Sequence, residues 1–287
     1  MNITYVKAPV ESNMGNGFFS DGGEYIIRTI VKDKHKISTV THNESADFLS
    51  YDSISNTDLF ILGWGCVLTD NNLPRLLRPM YKQKNIIALG FGCTYYDDTE
   101  KRIAQEFAKH CKLFTTRDNY TYNFVKDCTI TVNGIDSGFF CSEFYSDKTS
   151  KSEKYCISNI DNQSLAQTDN EKQLKDIQKR YPNHKCFFTS NNYGDTTRDP
   201  CELWNLYKHA EYISTTRAHT AICCLTEQTE LYYCGHMDKR ALGMFEACDI
   251  DLSVKRADIK ESYRKIQKRK SLYIEELTKQ FTDLQII

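Results

Sequence analysis

The chain alternates short apolar runs with longer stretches in which apolar residues recur at helical spacing. In the first half, the runs at 3–7, 36–40, 58–62, 85–89 and 112–115 read as buried strands, with a weaker one at 129–132. Between them, a 3.6-residue period predicts helices at 22–31, 73–82, 99–111 and 119–126. Asn71 and Asn72 ahead of Leu73, with Pro74 in the first turn, predict a capped start for the second of these. Around 142–154 the pattern breaks into Ser, Lys, Asp and Glu, then resumes. Strands are expected at 154–157, 185–189, 212–214 and 230–234, with helices at 171–180, 200–209, 218–225 and 239–248. Strands separated by helices of this size imply βαβ units and mostly parallel sheets. The expected architecture is α/β: two domains, 1–144 and 145–287, the second ending in a long C-terminal helix.

That last helix, expected over 254–284, carries Ile259, Tyr263, Ile266, Ile274, Leu277, Phe281 and Leu284 as one apolar stripe. Eight basic residues lie between Lys255 and Lys270, against only Asp258 and Glu261. Such a face is ordinarily solvated. The sharper alternative is a peripheral contact with an anionic membrane surface.

Composition narrows the class. The 287 residues carry 37 Lys+Arg against 38 Asp+Glu, a balance that excludes a globally basic nucleic-acid binder. Hydrophobic content of 40% supports a sizeable core, and no apolar run reaches the length of a membrane span. The first ten residues lack the charged start and apolar stretch of a signal peptide. The 12 cysteines include no C-x-x-C pair, so they read as reduced core residues in a cytoplasmic protein rather than as disulfides or zinc ligands.

Two strand-to-helix junctions stand out. Leu113–Asp118 is an apolar strand ending in Arg117 and Asp118; Glu211–Ala221 is another, running through Ser214 to Arg217 and His219. Ligands of open α/β sheets sit beyond the carboxyl ends of the strands, where helix N-termini converge. One arginine at each such end suggests an anion held between them, because the guanidinium fork binds phosphate or carboxylate. His219 has the right chemistry for acid–base work. The plainer readings are a surface ion pair for Arg117–Asp118 and a backbone-satisfied histidine for His219; His236, after a strand end, is a weaker candidate. Asn13-Met14-Gly15-Asn16-Gly17, Gly63-Trp64-Gly65 and Gly90-Phe91-Gly92 mark turns where backbone amides can approach a ligand. Asp97–Asp98 fits helix capping better than metal binding. No G-x-G-x-x-G, P-loop or G-x-S-x-G pattern is present, so neither a cofactor nor a metal is expected.

Taken in order, Asn13-x-Gly15-Asn16, the 58–65 strand and glycine turn, Thr116-Arg117-Asp118, Asp136 with Gly138-Phe139-Phe140, and Ser214 to His219 resemble the polysaccharide pyruvyl transferase family. The resemblance spans about 10–245, and the Ser-x-x-Arg-x-His segment at 214–219 is its most specific part. It implies a GT-B-like fold of two Rossmann-like domains facing a cleft. It also implies transfer of pyruvate from phosphoenolpyruvate onto two hydroxyls of a sugar or lipid-linked glycan, as a ketal, in the making of exopolysaccharide or cell envelope. On this reading His219 is catalytic, while Arg117, Arg217, Asn13, Gly15, Asn16, Gly63, Gly65, Asp118 and Ser214 bind substrate. Asn16 stands where the family usually has Asp, and Trp64 interrupts its glycine run. A nucleotide-sugar glycosyltransferase and a non-catalytic anion- or glycan-binding relative are the alternatives.

Overall fold

The computed structural model describes residues 1–11, 13–41, 56–63, 85–145, 155–160, 166–235, 239–252 and 258–287, without the side chains of 166–170. The helix expected at 73–82, Trp64, Gly65 and His236 lie outside the described residues. Strands β1 (Asn2–Lys7), β2 (Lys36–Thr41), β3 (Leu59–Gly63), β4 (Asn85–Phe91), β5 (Leu113–Thr116) and β6 (Thr131–Asn133) form one sheet. Its order is β2-β1-β3-β4-β5-β6, with every described neighbour parallel. A second parallel sheet contains β7 (Tyr155–Asn159), β8 (Lys185–Phe188), β9 (Tyr212–Thr215) and β10 (Glu230–Tyr233). Its order, β10-β9-β7-β8, read from the other edge is second, first, third, fourth. Both sheets therefore start from the same doubly wound order, a repeat of topology with no visible repeat of sequence. The fold is α/β with parallel sheets, and the chain passes from one sheet to the other between Tyr145 and Tyr155.

Residues 59–63 and 86–91 are buried without interruption, as apolar strands covered on both faces must be. Helix α1 (Gly15–Val31) starts seven residues ahead of the expected position, 22. Gly15 and Gly17 read as turn residues in the sequence, yet they form its first turn. What their small size permits is close approach: a Cβ on Gly15 would sit 2.7 Å from His219 Nδ1, and one on Gly17 would collide with Pro200. Helix α2 (Asp98–Lys109) is capped by Asp97, which accepts from the Glu100 amide at 2.8 Å, as expected of that pair. Glu100 turns back to accept from the amides of Thr94, Tyr95 and Tyr96, at 3.0, 2.7 and 2.7 Å. The other described helices are α3 (Asn119–Val125), α4 (Cys141–Phe144), α5 (Ala166–Arg180), α6 (Pro200–His209), α7 (Ala218–Thr226), α8 (Lys239–Glu246) and α9 (Ile259–Asp283).

One apolar core runs through both halves, from Ile3 and Tyr5 to Trp204, Ile213 and Phe281. Phe18 of α1 meets Trp204 of α6 edge-on at 5.0 Å, and the Met14 amide donates to the Asn191 carbonyl at 2.7 Å. Helix α9 packs against α1, α7 and the Ser137–Phe140 turn. Its buried stripe is Ser262, Ile266, Lys270, Tyr273, Leu277 and Phe281, so two polar residues and a tyrosine join the pattern that apolar spacing predicts. The Tyr273 hydroxyl donates to Thr115 Oγ1 at 2.8 Å, Lys265 donates to the Asp249 carbonyl, and Arg269 reaches the carbonyls of Asn133, Gly134 and Ala247. Lys270 pairs with Glu143 above the Phe140 ring. The apolar face of α9 is thus turned into the protein's own core, and three of its basic residues are engaged there. Among the described residues, no helix is long and apolar enough to cross a membrane. None of the eleven described cysteines is in a disulfide.

Candidate active site

In both sheets the switch strand, β1 or β7, is flanked by strands that the chain reaches in opposite directions, and its carboxyl end is where a doubly wound fold opens a crevice. After β1, Asn16 Nδ2 donates to the Pro9 carbonyl at 2.7 Å and Asn13 Oδ1 accepts from the Gly15 amide at 2.9 Å. These two asparagines fix the turn that leads into α1. His219, in the first turn of α7, comes against it from the second half: its Nδ1 rests over Gly15 and its ring lies 5.5 Å from Phe19.

The opposite nitrogen, His219 Nε2, faces Asp136 Oδ2 at 3.7 Å. Asp136 follows β6 and is fully buried. Its Oδ1 accepts from the Gly138 amide at 2.8 Å, capping the 3₁₀ turn Ser137–Phe140, and its Oδ2 also stands 3.5 Å from Arg117 Nη1. Arg117, just past β5, is 1% exposed. Its Nε lies 4.0 Å from Asp118 Oδ2, and Gly92 packs on the guanidinium with no room for a Cβ. Asp118 in turn caps α3 through the Thr121 amide at 2.7 Å and accepts from the Tyr96 hydroxyl at 3.1 Å. Burial by itself raises the Asp136 carboxyl, but His219, Arg117 and the Gly138 amide outweigh it and hold the group below its ordinary value. For Asp118 burial wins over Arg117 and the hydrogen bonds, and the carboxyl is raised.

The corresponding edge of the second sheet is built from uncharged groups. Asn159, at the end of β7, donates to Thr189 Oγ1, Asn191 Oδ1 and the Tyr207 hydroxyl at 3.0–3.1 Å. Its Oδ1 accepts from Thr215 at 2.8 Å and Thr220 at 3.1 Å. On this base sits Arg217, the residue before α7, half-buried, with its amide on Thr215 Oγ1 and Nη2 3.5 Å from Asn192 Oδ1. Burial and then nearby Arg240 depress its guanidinium, the mark of two cations sharing a surface.

The structure therefore brings Asn13, Gly15 and His219 together and joins His219 to Arg117 and Asp118 through Asp136. Other candidates stand apart. Gly63 packs against the Tyr5 ring, Asn16 braces its own turn, and Ser214, fully buried in β9, donates to Gln173 of α5 at 3.2 Å. Gly65 is outside the described residues. Asp136, Asn159 and Arg240 were not among the expected site residues. Asp136 carried a faint signal, since it precedes a glycine and two phenylalanines in the resembling segment.

A family model described as polysaccharide pyruvyl transferase matches residues 13–236, a span that holds every one of these side chains except Arg240. The chain belongs to the polysaccharide pyruvyl transferase family. Solved structures share its fold at low identity. An UDP-N-acetylglucosamine 2-epimerase from Listeria monocytogenes, named as putative, superposes with a TM-score of 0.61 at 9% identity over 96% of this chain and 88% of its own. Staphylococcus aureus MnaA bound to UDP gives 0.55 at 11% identity, covering 95% and 90%. An uncharacterized Klebsiella pneumoniae protein gives 0.53 at 14%, covering 85% and 87%. No curated protein sequence matches this chain. The fold of this family member is accordingly GT-B-like, the likeness resting on the parallel sheets described above.

Proposed function

We propose that this protein transfers pyruvate from phosphoenolpyruvate to two hydroxyls of a sugar or lipid-linked glycan, at a crevice between two Rossmann-like lobes, 1–144 and 145–287. The observation that carries the reading is the seating of His219, from the second sheet, against the Asn13–Gly15 turn and Asp136 of the first. Within a family of this name, a histidine placed between an anion-binding arginine and a buried carboxylate suits the chemistry. The methylene carbon of the donor gains a proton, one sugar hydroxyl adds to the neighbouring carbon, and a second hydroxyl displaces phosphate from that same carbon. The two hydroxyl protons leave, one balancing the new methyl group and one departing with phosphate. His219 serves one of these transfers, worth about 10²–10⁴-fold in rate. Arg217 and Arg240 supply positive charge for the donor's phosphate and carboxylate. In this reading the reaction is cytoplasmic and the outward basic residues of α9 make the membrane contact.

The test is incubation of the full chain with phosphoenolpyruvate and lipid-linked or nucleotide-linked glycans, following phosphate release and a ketal by mass spectrometry. Release of phosphate with an acceptor, reduced at least about a hundredfold in His219→Ala while donor affinity holds within a few fold, supports the reading. Consumption of a nucleotide sugar without phosphoenolpyruvate replaces it with glycosyl transfer. Binding with neither leaves a non-catalytic relative.

A further inference from the structure

Arg117 reads in the sequence as one of two arginines gripping an anion, yet it is 1% exposed and has carboxylates of Asp136 and Asp118 at 3.5 and 4.0 Å. A guanidinium enclosed in this way has its charge answered within the protein. His219, by contrast, keeps 14% of its side chain exposed, and Arg217 is half-buried. Asp136 Oδ2 makes no hydrogen bond among the described residues and faces Arg117 on one side and His219 Nε2 on the other. The far nitrogen of the ring lies over Gly15, where the missing Cβ leaves it room. A carboxylate opposite one imidazole nitrogen favours the proton on that nitrogen and fixes the ring's orientation.

We infer that Arg117 and Asp136 are positioning residues: Arg117 holds Asp136, Asp136 sets the tautomer and direction of His219, and Arg217 is the arginine that touches the anion. The inference rests on the proposed reading of the site and deepens it, by dividing two like residues between two roles. Arg117 sits on the first sheet and acts through a carboxylate; Arg217 sits on the second and acts on the ligand.

Two measurements on the full chain decide it without needing turnover. Long-range ¹H–¹⁵N correlation at about pH 8.5, above the ordinary range of a histidine, reads the tautomer of His219. The native protein is expected to carry the proton on Nε2, Arg117→Lys to keep it there, and Asp136→Asn to lose that preference. Asn retains the oxygen that caps Gly138, and Arg117→Lys retains the charge, so both variants are chosen to fold. Calorimetric titration with inorganic phosphate and with phosphoenolpyruvate gives the second readout. Arg217→Ala is expected to weaken both at least tenfold, whereas Asp136→Asn and Arg117→Lys stay within about threefold of native. An unchanged tautomer in Asp136→Asn overturns the inference. So does an affinity loss in Arg117→Lys as large as that in Arg217→Ala, or a native protein that binds neither anion. If both readouts hold and no acceptor releases phosphate from phosphoenolpyruvate, the pyruvyl-transfer reading fails while the division of roles stands.

Discussion

The carboxyl edges of the two sheets solve the same problem with different materials. Both start from the same strand order, and both bury polar groups at the carboxyl ends of their strands. The first does so with charge: Arg117, Asp118 and Asp136 are each at most 1% exposed. The second does so with amides and hydroxyls, Asn159, Asn191, Thr189, Thr215, Thr220 and Tyr207, joined by hydrogen bonds. A neutral network is held by many bonds worth about 1 kcal/mol each, and it is indifferent to pH. A charged one depends on each partner's presence and ionisation, because an unanswered buried charge costs far more than a lost neutral bond. The first edge is therefore the tunable one and the second the rigid one. It is the rigid edge that presents His219 and Arg217.

The widest separation between the two edges should come from removing one partner in each. Arg117→Met strips the cation from two buried carboxylates and is expected to cost about 3–5 kcal/mol in urea unfolding. Thr220→Val removes a hydroxyl bonded to Asn159 and Asn191 and is expected to cost about 1–2 kcal/mol. Equal losses would erase the contrast.

Next in size is the response to acid. Asp136 is held below the ordinary carboxylate range as described, and so is Glu24, where Lys7 and Arg28 outweigh burial. A depressed carboxyl contributes stability that is complete above about pH 4, its unfolded value, and is lost as pH falls through the lower native value. Asp118, raised by burial, offsets part of this. Amide exchange should accordingly show protection in the first half falling as pH drops from about 4 to 2, while the Thr216 amide beside Asn159 changes no more than the second half as a whole. Uniform loss in both halves would mean that the edges do not differ in this respect.

The smallest effect is expected at Ser214, an expected site residue whose hydroxyl bonds within the second half. Ser214→Ala should lower stability by no more than about 1 kcal/mol and leave phosphate affinity within twofold, since its hydroxyl faces Gln173 rather than His219. Gly15→Ala is the counterpart. Its Cβ would crowd His219 Nδ1 at 2.7 Å, so affinity for phosphate should hold while the tautomer signal of His219 shifts.

Much of this was legible in the chain. Uninterrupted apolar runs locate β3 and β4 because strands covered on both faces tolerate no alternation. Asp97 and Asp118 announce helix starts, and the strand-to-helix junction at 212–219 marks His219 and Arg217 by position. What the chain hides depends on partners remote in sequence. The start of α1 at Gly15 makes sense only once Pro200 and His219 are known to press on it. Nothing near Arg117 in the sequence shows that Asp136 stands between it and the histidine. Asn159 carries no local mark at all: its role comes from three segments meeting at one amide. Lys270 and Tyr273 break the apolar stripe of α9 on paper, and only Glu143 and Thr115 explain their burial.

Helix α9 has a consequence for how the molecule is made. Its stripe of Ile266, Tyr273, Leu277 and Phe281 completes a core that belongs to both sheets, and it is synthesised after every strand of either. Until it arrives, the part of that core it covers is open to water on a nascent chain, the condition in which chains associate wrongly and chaperones engage them. A chain stopped before Ile259 is therefore expected to leave this shared core unfinished on the side of both halves.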